Sequence, residues 1–173
     1  MVQKKIDISI RDARADEREA MRTVTVAAYE EYAKIMPMFW DGYKKNIMEA
    51  IEEEGPAQHI VAEYVGKIVG SVLLYPPAQS AYGDSVEKGE GVPEMRLLAV
   101  DPAMRGHGIG NALTRKCVER ARRMGAPALG LHTTDMMQTA MQMYERMGFV
   151  RVPELDFHPT ENTTIKGYRL YLN

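Results

Sequence analysis

The run Leu97-Leu98-Ala99-Val100-Asp101-Pro102-Ala103-Met104-Arg105-Gly106-His107-Gly108-Ile109-Gly110-Asn111-Ala112-Leu113 constrains this chain more than any other segment. It reads as a strand, a glycine-rich turn and the start of a helix. Glycine turns the backbone tightly and lets a ligand approach without side-chain obstruction. A helix behind such a turn offers N–H groups that lack an intrahelical acceptor, together with the positive end of its dipole. The combination is a cradle for a phosphate or pyrophosphate. Two well-known phosphate loops are excluded. A dinucleotide fingerprint, G-x-G-x-x-G or A, fails because its sixth position is Asn111 when counted from Gly106 and Leu113 when counted from Gly108. A P-loop fails because no Gly-Lys-Ser or Gly-Lys-Thr occurs. What remains is Arg105-x-x-Gly108-x-Gly110. The bland alternative is a glycine-rich helix start without a ligand, and three glycines in five residues cost too much backbone entropy to favour it.

Periodicity places the other elements. Ile6, Ile8 and Ile10 alternate with polar residues and predict a first strand. Asp16 with Glu19 predicts a capping box, followed by a helical face at Met21, Val24, Ala28, Tyr32 and Ile35 that Pro37 ends. Tyr43, Ile47 and Ile51 mark a second helix, stopping before Gly55-Pro56. The runs 59–65 and 67–75 around Gly66 predict a hairpin. The stretch from Pro76 to Pro93 reads as a surface excursion inside one domain. Then follow a strand at 94–100, a helix at 111–124 stopped by Gly125, and a strand at 128–132. A helix at 136–147 and strands at 149–152 and 165–172 close the chain. The order β-α-α-β-β-β-α-β-α-β-β predicts an α/β fold with a mixed sheet and helices on both faces.

Composition narrows the function classes. The 173 residues allow one domain with a real core. A formal net charge of -2 argues against nucleic-acid binding driven by bulk charge. Cys117 is the single cysteine, so no internal disulfide forms and a reducing compartment fits. No signal-peptide pattern opens the chain, and no apolar run approaches the ~20 residues of a membrane span. The expectation is a soluble cytoplasmic protein. His59, His107, His132 and His158 are too scattered to form a recognised metal motif, so no metal is expected.

The glycine turn, the Leu-Ala-Val-Asp-Pro before it and the helix after it resemble the GNAT family of N-acetyltransferases, whose hallmark is [Q/R]-x-x-G-x-[G/A] between a strand and a helix. Tyr144-Glu145-x-x-Gly148-Phe149 resembles that family's second recognisable stretch. The resemblance spans essentially the whole chain and implies a single N-acetyltransferase domain over 1–173. It implies that the pyrophosphate of acetyl-coenzyme A lies against Arg105, Gly106, His107, Gly108, Ile109, Gly110 and Asn111. It also implies that the backbone of Leu98, Ala99 and Val100 contacts the pantetheine arm.

The implied reaction is direct attack of an amine on the thioester. A lysine-like amine has a reference pKa of about 10.4, so a base is useful, and the leaving thiolate needs a proton. By family position, Glu94 is the general base and Tyr144 is the general acid. Read without the family, Glu94 is a solvated strand-end carboxylate and Tyr144 a core aromatic sharing a face with Ala140 and Met147. One departure stands out. The family often carries a coenzyme-binding asparagine about two helical turns before the tyrosine, and here that place falls near Met137, with Thr133 and Thr134 preceding.

Cys117 lies on an apolar helix face and reads as a buried structural thiol. The Arg120-Ala121-Arg122-Arg123 run reads as a solvated helix face or a contact to the coenzyme's 3′-phosphate. The family's acceptor region maps onto Tyr29, Tyr32, Met38, Phe39, Trp40 and Tyr43, then Glu154, Asp156, Phe157 and His158. Aromatics beside acids suit a cationic or amphipathic small-molecule amine. The same aromatics read equally as core and the acids as a solvated loop. A protein lysine or N-terminus is the alternative acceptor, and a non-catalytic acyl-coenzyme A sensor or scaffold the alternative function. A homodimer is compatible with the family, although no interface signature marks one.

Overall fold

The computed structural model describes residues 5–77 and 91–173. The first four residues and most of the Pro76–Pro93 excursion lie outside them. The chain groups into two compact units, one made of residues up to Leu73 together with Leu97–Lys116, the other of Leu74–Arg96 and Cys117–Asn173.

In the first unit the strands are β1 (Ser9–Asp12), β2 (Gln58–Tyr64), β3 (Lys67–Tyr75) and the end of β4 (Glu94–Val100), in that order. β1 pairs antiparallel with β2, Ser9 opposite Glu63. The strand expected at Ile6–Ile10 therefore begins three residues later, where pairing is available. β2 and β3 are joined by Val65-Gly66, both at positive φ (49° and 75°), the twist of a tight hairpin. Helix α1 (Arg18–Tyr29) buries Met21, Val24, Thr25, Ala28 and Tyr29, a continuous helical stripe. Its expected capping box shifts. Glu17, rather than Glu19, reaches back, accepting the Arg14 N–H at 2.7 Å. Arg11 binds the same carboxylate and holds it at a pKa of about 2. The helix expected to reach Ile35 breaks after Tyr29 and resumes as the short α2 (Tyr32–Ile35). Helix α3 (Trp40–Glu52) packs Ile47, Ala50 and Ile51 inward and contacts α1.

Helix α4 (Ile109–Arg123) starts in the first unit and ends in the second. In the second unit β4 pairs parallel with β5 (Ala128–Thr133) at Glu94 opposite Gly130. β5 pairs antiparallel with β8 (Thr163–Tyr171), which also takes β6 (Val150–Arg151) and β7 (Phe157–Thr160). Helix α5 (Gln138–Arg146) buries Met141 and Tyr144. β7 was expected as loop. It is mostly exposed and contains Pro159, which an edge strand tolerates because it needs no donor on its outer side. Parallel and antiparallel pairs together make the expected α/β mixed sheet. Among the described residues no helix is long and apolar enough to cross a membrane.

Candidate active site

The glycine turn is built within the first unit. β4 buries Met95, Leu97 and Ala99 and leaves Leu98 and Val100 half-buried on the opposite face. Leu97 has φ 55°, a left-handed conformation that is costly for a leucine inside a strand and persists only where surrounding packing imposes it. The Tyr29 hydroxyl donates to the Leu98 carbonyl at 3.1 Å, and the Asp101 N–H donates to Val69 at 2.8 Å, fixing the strand's exit. Asp101 then caps the turn Pro102–Met104 by accepting the Ala103 N–H at 2.9 Å.

Gly106 and Gly108 stand at φ 82° and 77°. A methyl group on either would meet no atom within 4 Å, so the space above the turn is open. The first intrahelical bond runs from the Ala112 N–H to the Gly108 carbonyl, so by helix geometry the N–H groups of Ile109, Gly110 and Asn111 precede any i−4 acceptor within α4. The helix starts two residues earlier than expected, which brings Gly110 and Asn111 into its first turn. Ile109 and Leu113 anchor that turn in the core. Gly70 makes the anchoring possible, because a Cβ there would lie 3.0 Å from the Ala99 carbonyl, Ile109 Cγ2 and Leu113 Cδ1.

Two side chains of the turn face the protein. Arg105 bonds Glu31 at 3.2 Å and the Ala28 carbonyl at 3.1 Å, tying the turn to the end of α1. His107 Nδ1 donates to the carbonyls of Met104 and Arg105, both at 3.1 Å. Tyr29 packs against Tyr32 and Tyr43 with ring centroids 5.8 and 6.0 Å apart, and Trp40 extends the cluster, while Met38 and Phe39 are exposed.

The second unit gathers Glu94, Gly130, His132 and Leu155. His132 Nδ1 lies 3.2 Å from Glu94 Oε2, and its Nε2 donates to the Leu155 carbonyl at 2.9 Å. The imidazole is 1% exposed. Burial alone would lower its pKa, but the Glu94 hydrogen bond and charge, the Leu155 carbonyl and Asp156 together raise it above 6.5. The Glu94 side chain lies over Gly130, where a Cβ would come within 3.2 Å of Glu94 Cγ and Oε1. Asp156, which the sequence maps to the acceptor region or a solvated loop, is forked by Arg151 at 2.7 and 2.8 Å and accepts the Gly167 N–H at 2.9 Å. Arg151 holds its carboxyl below the usual range. His132 is the residue that sequence reasoning missed. It was weighed only as a metal ligand, and nothing in its neighbourhood along the chain points to Glu94.

Tyr144 is buried, its ring 5.6 Å from that of Phe149. Thr133 and Thr134 are 3% and 9% exposed, and neither hydroxyl has a hydrogen-bond partner within the described protein. Such orphaned groups are costly unless a ligand or water satisfies them. The open space at Gly106 and Gly108, taken by itself, fits a phosphorylated ligand such as acetyl-coenzyme A. Cys117 is fully buried, and burial pushes its thiol up to about 12, as expected of a structural cysteine.

The acetyltransferase (GNAT) family model matches residues 25–149. The chain belongs to this family. N-acetylaspartate synthetase of Danio rerio is 36% identical over 107 residues, 62% of this chain and 33% of that protein. The chain thus spans about a third of that relative's length. A solved structure ascribed to the GNAT family, from Desulfovibrio desulfuricans, superposes with a TM-score of 0.73 at 19% identity, covering 95% of this chain and 99% of that one. A GNAT acetyltransferase from Brucella melitensis, solved with acetyl-CoA, gives 0.59 at 20% identity over 96% and 89%. At those identities the two structures speak to the fold alone, and both agree with a GNAT fold for this chain.

Proposed function

We propose that this chain is an N-acetyltransferase moving an acetyl group from acetyl-CoA to the primary amine of a small molecule. The observation that carries the reading is the turn at Arg105–Gly110: two glycines at positive φ, open space above them, and a 15-residue helix aimed away behind them. In this reading the N–H groups from Gly106 to Asn111 take the pyrophosphate. Arg105 and His107 hold the turn's shape, and the backbone of Leu98, Ala99 and Val100 lines the pantetheine arm. The orphaned hydroxyls of Thr133 and Thr134 answer for the asparagine that Met137 displaces. The amine nitrogen forms the new C–N bond as the C–S bond breaks. Glu94 accepts the amine proton, and Tyr144 gives a proton to the departing sulfur.

The exposed Met38 and Phe39 beside the Tyr29–Tyr32–Tyr43–Trp40 cluster support an amphipathic amine as acceptor. The test is acetyl-CoA turnover against arylalkylamines, polyamines, amino acids and lysine peptides, read by released thiol and by product mass. Cys117, being buried, contributes no thiol signal in the folded protein. Transfer to a small amine is the expected result. Transfer to peptides alone would move the acceptor to protein, and binding without any transfer would make the chain an acyl-CoA sensor.

A further inference from the structure

The contacts of His132 fix its protons. The Leu155 carbonyl can only accept, so Nε2 carries a hydrogen. Nδ1 is then the nitrogen that titrates, and it faces Glu94 Oε2 across 3.2 Å. A hydrogen bond across that gap needs one proton, present as imidazolium with carboxylate or as imidazole with carboxylic acid. Without it two lone pairs face each other. The single proton is therefore shared between the two side chains.

The surroundings are constructed to hold this arrangement. Gly130 leaves room for the Glu94 carboxyl, where any side chain would press on Cγ and Oε1 at 3.2 Å. Gly167, opposite His132 in β8, admits the Pro153–Leu155 turn, since a Cβ there would lie 2.5 Å from Leu155 Cβ. That turn delivers the Leu155 carbonyl, and the Arg151–Asp156 fork locks its end. Phe157 closes one side of the imidazole edge-on at 5.3 Å. The charged groups around His132 are Glu94 from β4 and Asp156 from the turn, the latter neutralised by Arg151 of β6. Lys166 of β8 is occupied by Asp135.

We propose that Glu94 and His132 form one proton-accepting unit, in which Glu94 takes the amine's proton and His132 stores it on Nδ1. This rests on the reading of Glu94 as the base. Starting from the pair without its shared proton, the amine's proton leaves nitrogen for Glu94 Oε1. Rotation about the broad, two-fold terminal torsion of the glutamate brings it to face Nδ1, which becomes N–H while the carboxylate is restored. A lone carboxylate is a weak base at neutral pH, and a unit that titrates near the working pH is a better one. His132 is a positioning residue here, acting on substrate only through Glu94.

The ligand-free test is an NMR titration of the histidine ring protons in wild type and Glu94→Gln. The His132 midpoint is expected above 6.5 in the wild type and lower in the variant. A midpoint that Glu94→Gln leaves unmoved overturns the proposal. The kinetic test uses the panel amine turned over fastest, following kcat against pH. His132→Asn keeps a donor toward Glu94 but cannot ionise. It is expected to lower the plateau about ten-fold and to move the acidic limb down by about a pH unit or more, with the KM for acetyl-CoA unchanged. Glu94→Gln is expected to lose about 100-fold in kcat. If Glu94→Gln loses activity and His132→Asn keeps the wild-type limb, the unit fails and Glu94 stands alone as base. If Glu94→Gln keeps full activity, the underlying reading of Glu94 fails instead.

Discussion

Residues 105–110 and the Glu94–His132 pair are built in different ways. The turn is one contiguous segment whose glycines, spacing and following helix all lie between Arg105 and Arg123, so its geometry is local. The pair is assembled from β4, β5 and the turn before β7, and two further glycines far apart in sequence make room for it. Local geometry leaves a pattern in the sequence. Assembly by sheet register leaves none, because what places His132 beside Glu94 is the Glu94–Gly130 pairing and the two-residue period of a strand.

Single substitutions separate the two regions. The largest effect is expected at Tyr144, where Tyr144→Phe removes a hydroxyl and little packing. Turnover should fall about 100-fold while acetyl-CoA binding, measured by calorimetry, is retained. Unchanged turnover would return Tyr144 to the core. Next comes Gly167→Ala, whose Cβ collides with Leu155. Overpacking should cost about 1–3 kcal/mol in urea unfolding and should also shift the His132 titration, since the Leu155 carbonyl moves with the turn.

Gly108→Ala acts on the other region. It places an alanine at φ 77°, costing about 1–2 kcal/mol in stability, and its methyl enters the open space above the turn. Acetyl-CoA affinity should drop about ten-fold or more, with the His132 titration untouched, which separates the two regions experimentally. The smallest effect has opposite signs in its two readouts. Thr133→Val removes an unsatisfied buried hydroxyl, so the ligand-free protein should gain up to about 1 kcal/mol while coenzyme binding weakens a few-fold.

Much of the fold was legible because it follows from periodicity. The stripe Met21–Val24–Ala28, the Val65-Gly66 hairpin and the Gly125 stop of α4 all stand where their residues predict. The misses have common physical causes. β7 hides because Pro159 and exposed polar residues deny it an alternating pattern. The cap moved from Glu19 to Glu17 because a 3-10 turn precedes α1, and the contact with Arg11 could not be read locally. Asp156 looked like a free acid because its partner Arg151 is recognisable only once the turn at 153–155 is folded. Glu94 and Tyr144 were legible as candidates by family position, whereas His132 required the sheet.

Every catalytic role proposed above depends on the glycine turn being a coenzyme cradle. Thermal unfolding with acetyl-CoA, with NAD and ATP as controls, tests it most directly. At 100 times the dissociation constant the coenzyme should add about 2.7 kcal/mol and raise the midpoint clearly, and the controls should not. No shift at saturating acetyl-CoA, or an equal shift with NAD or ATP, would contradict the account.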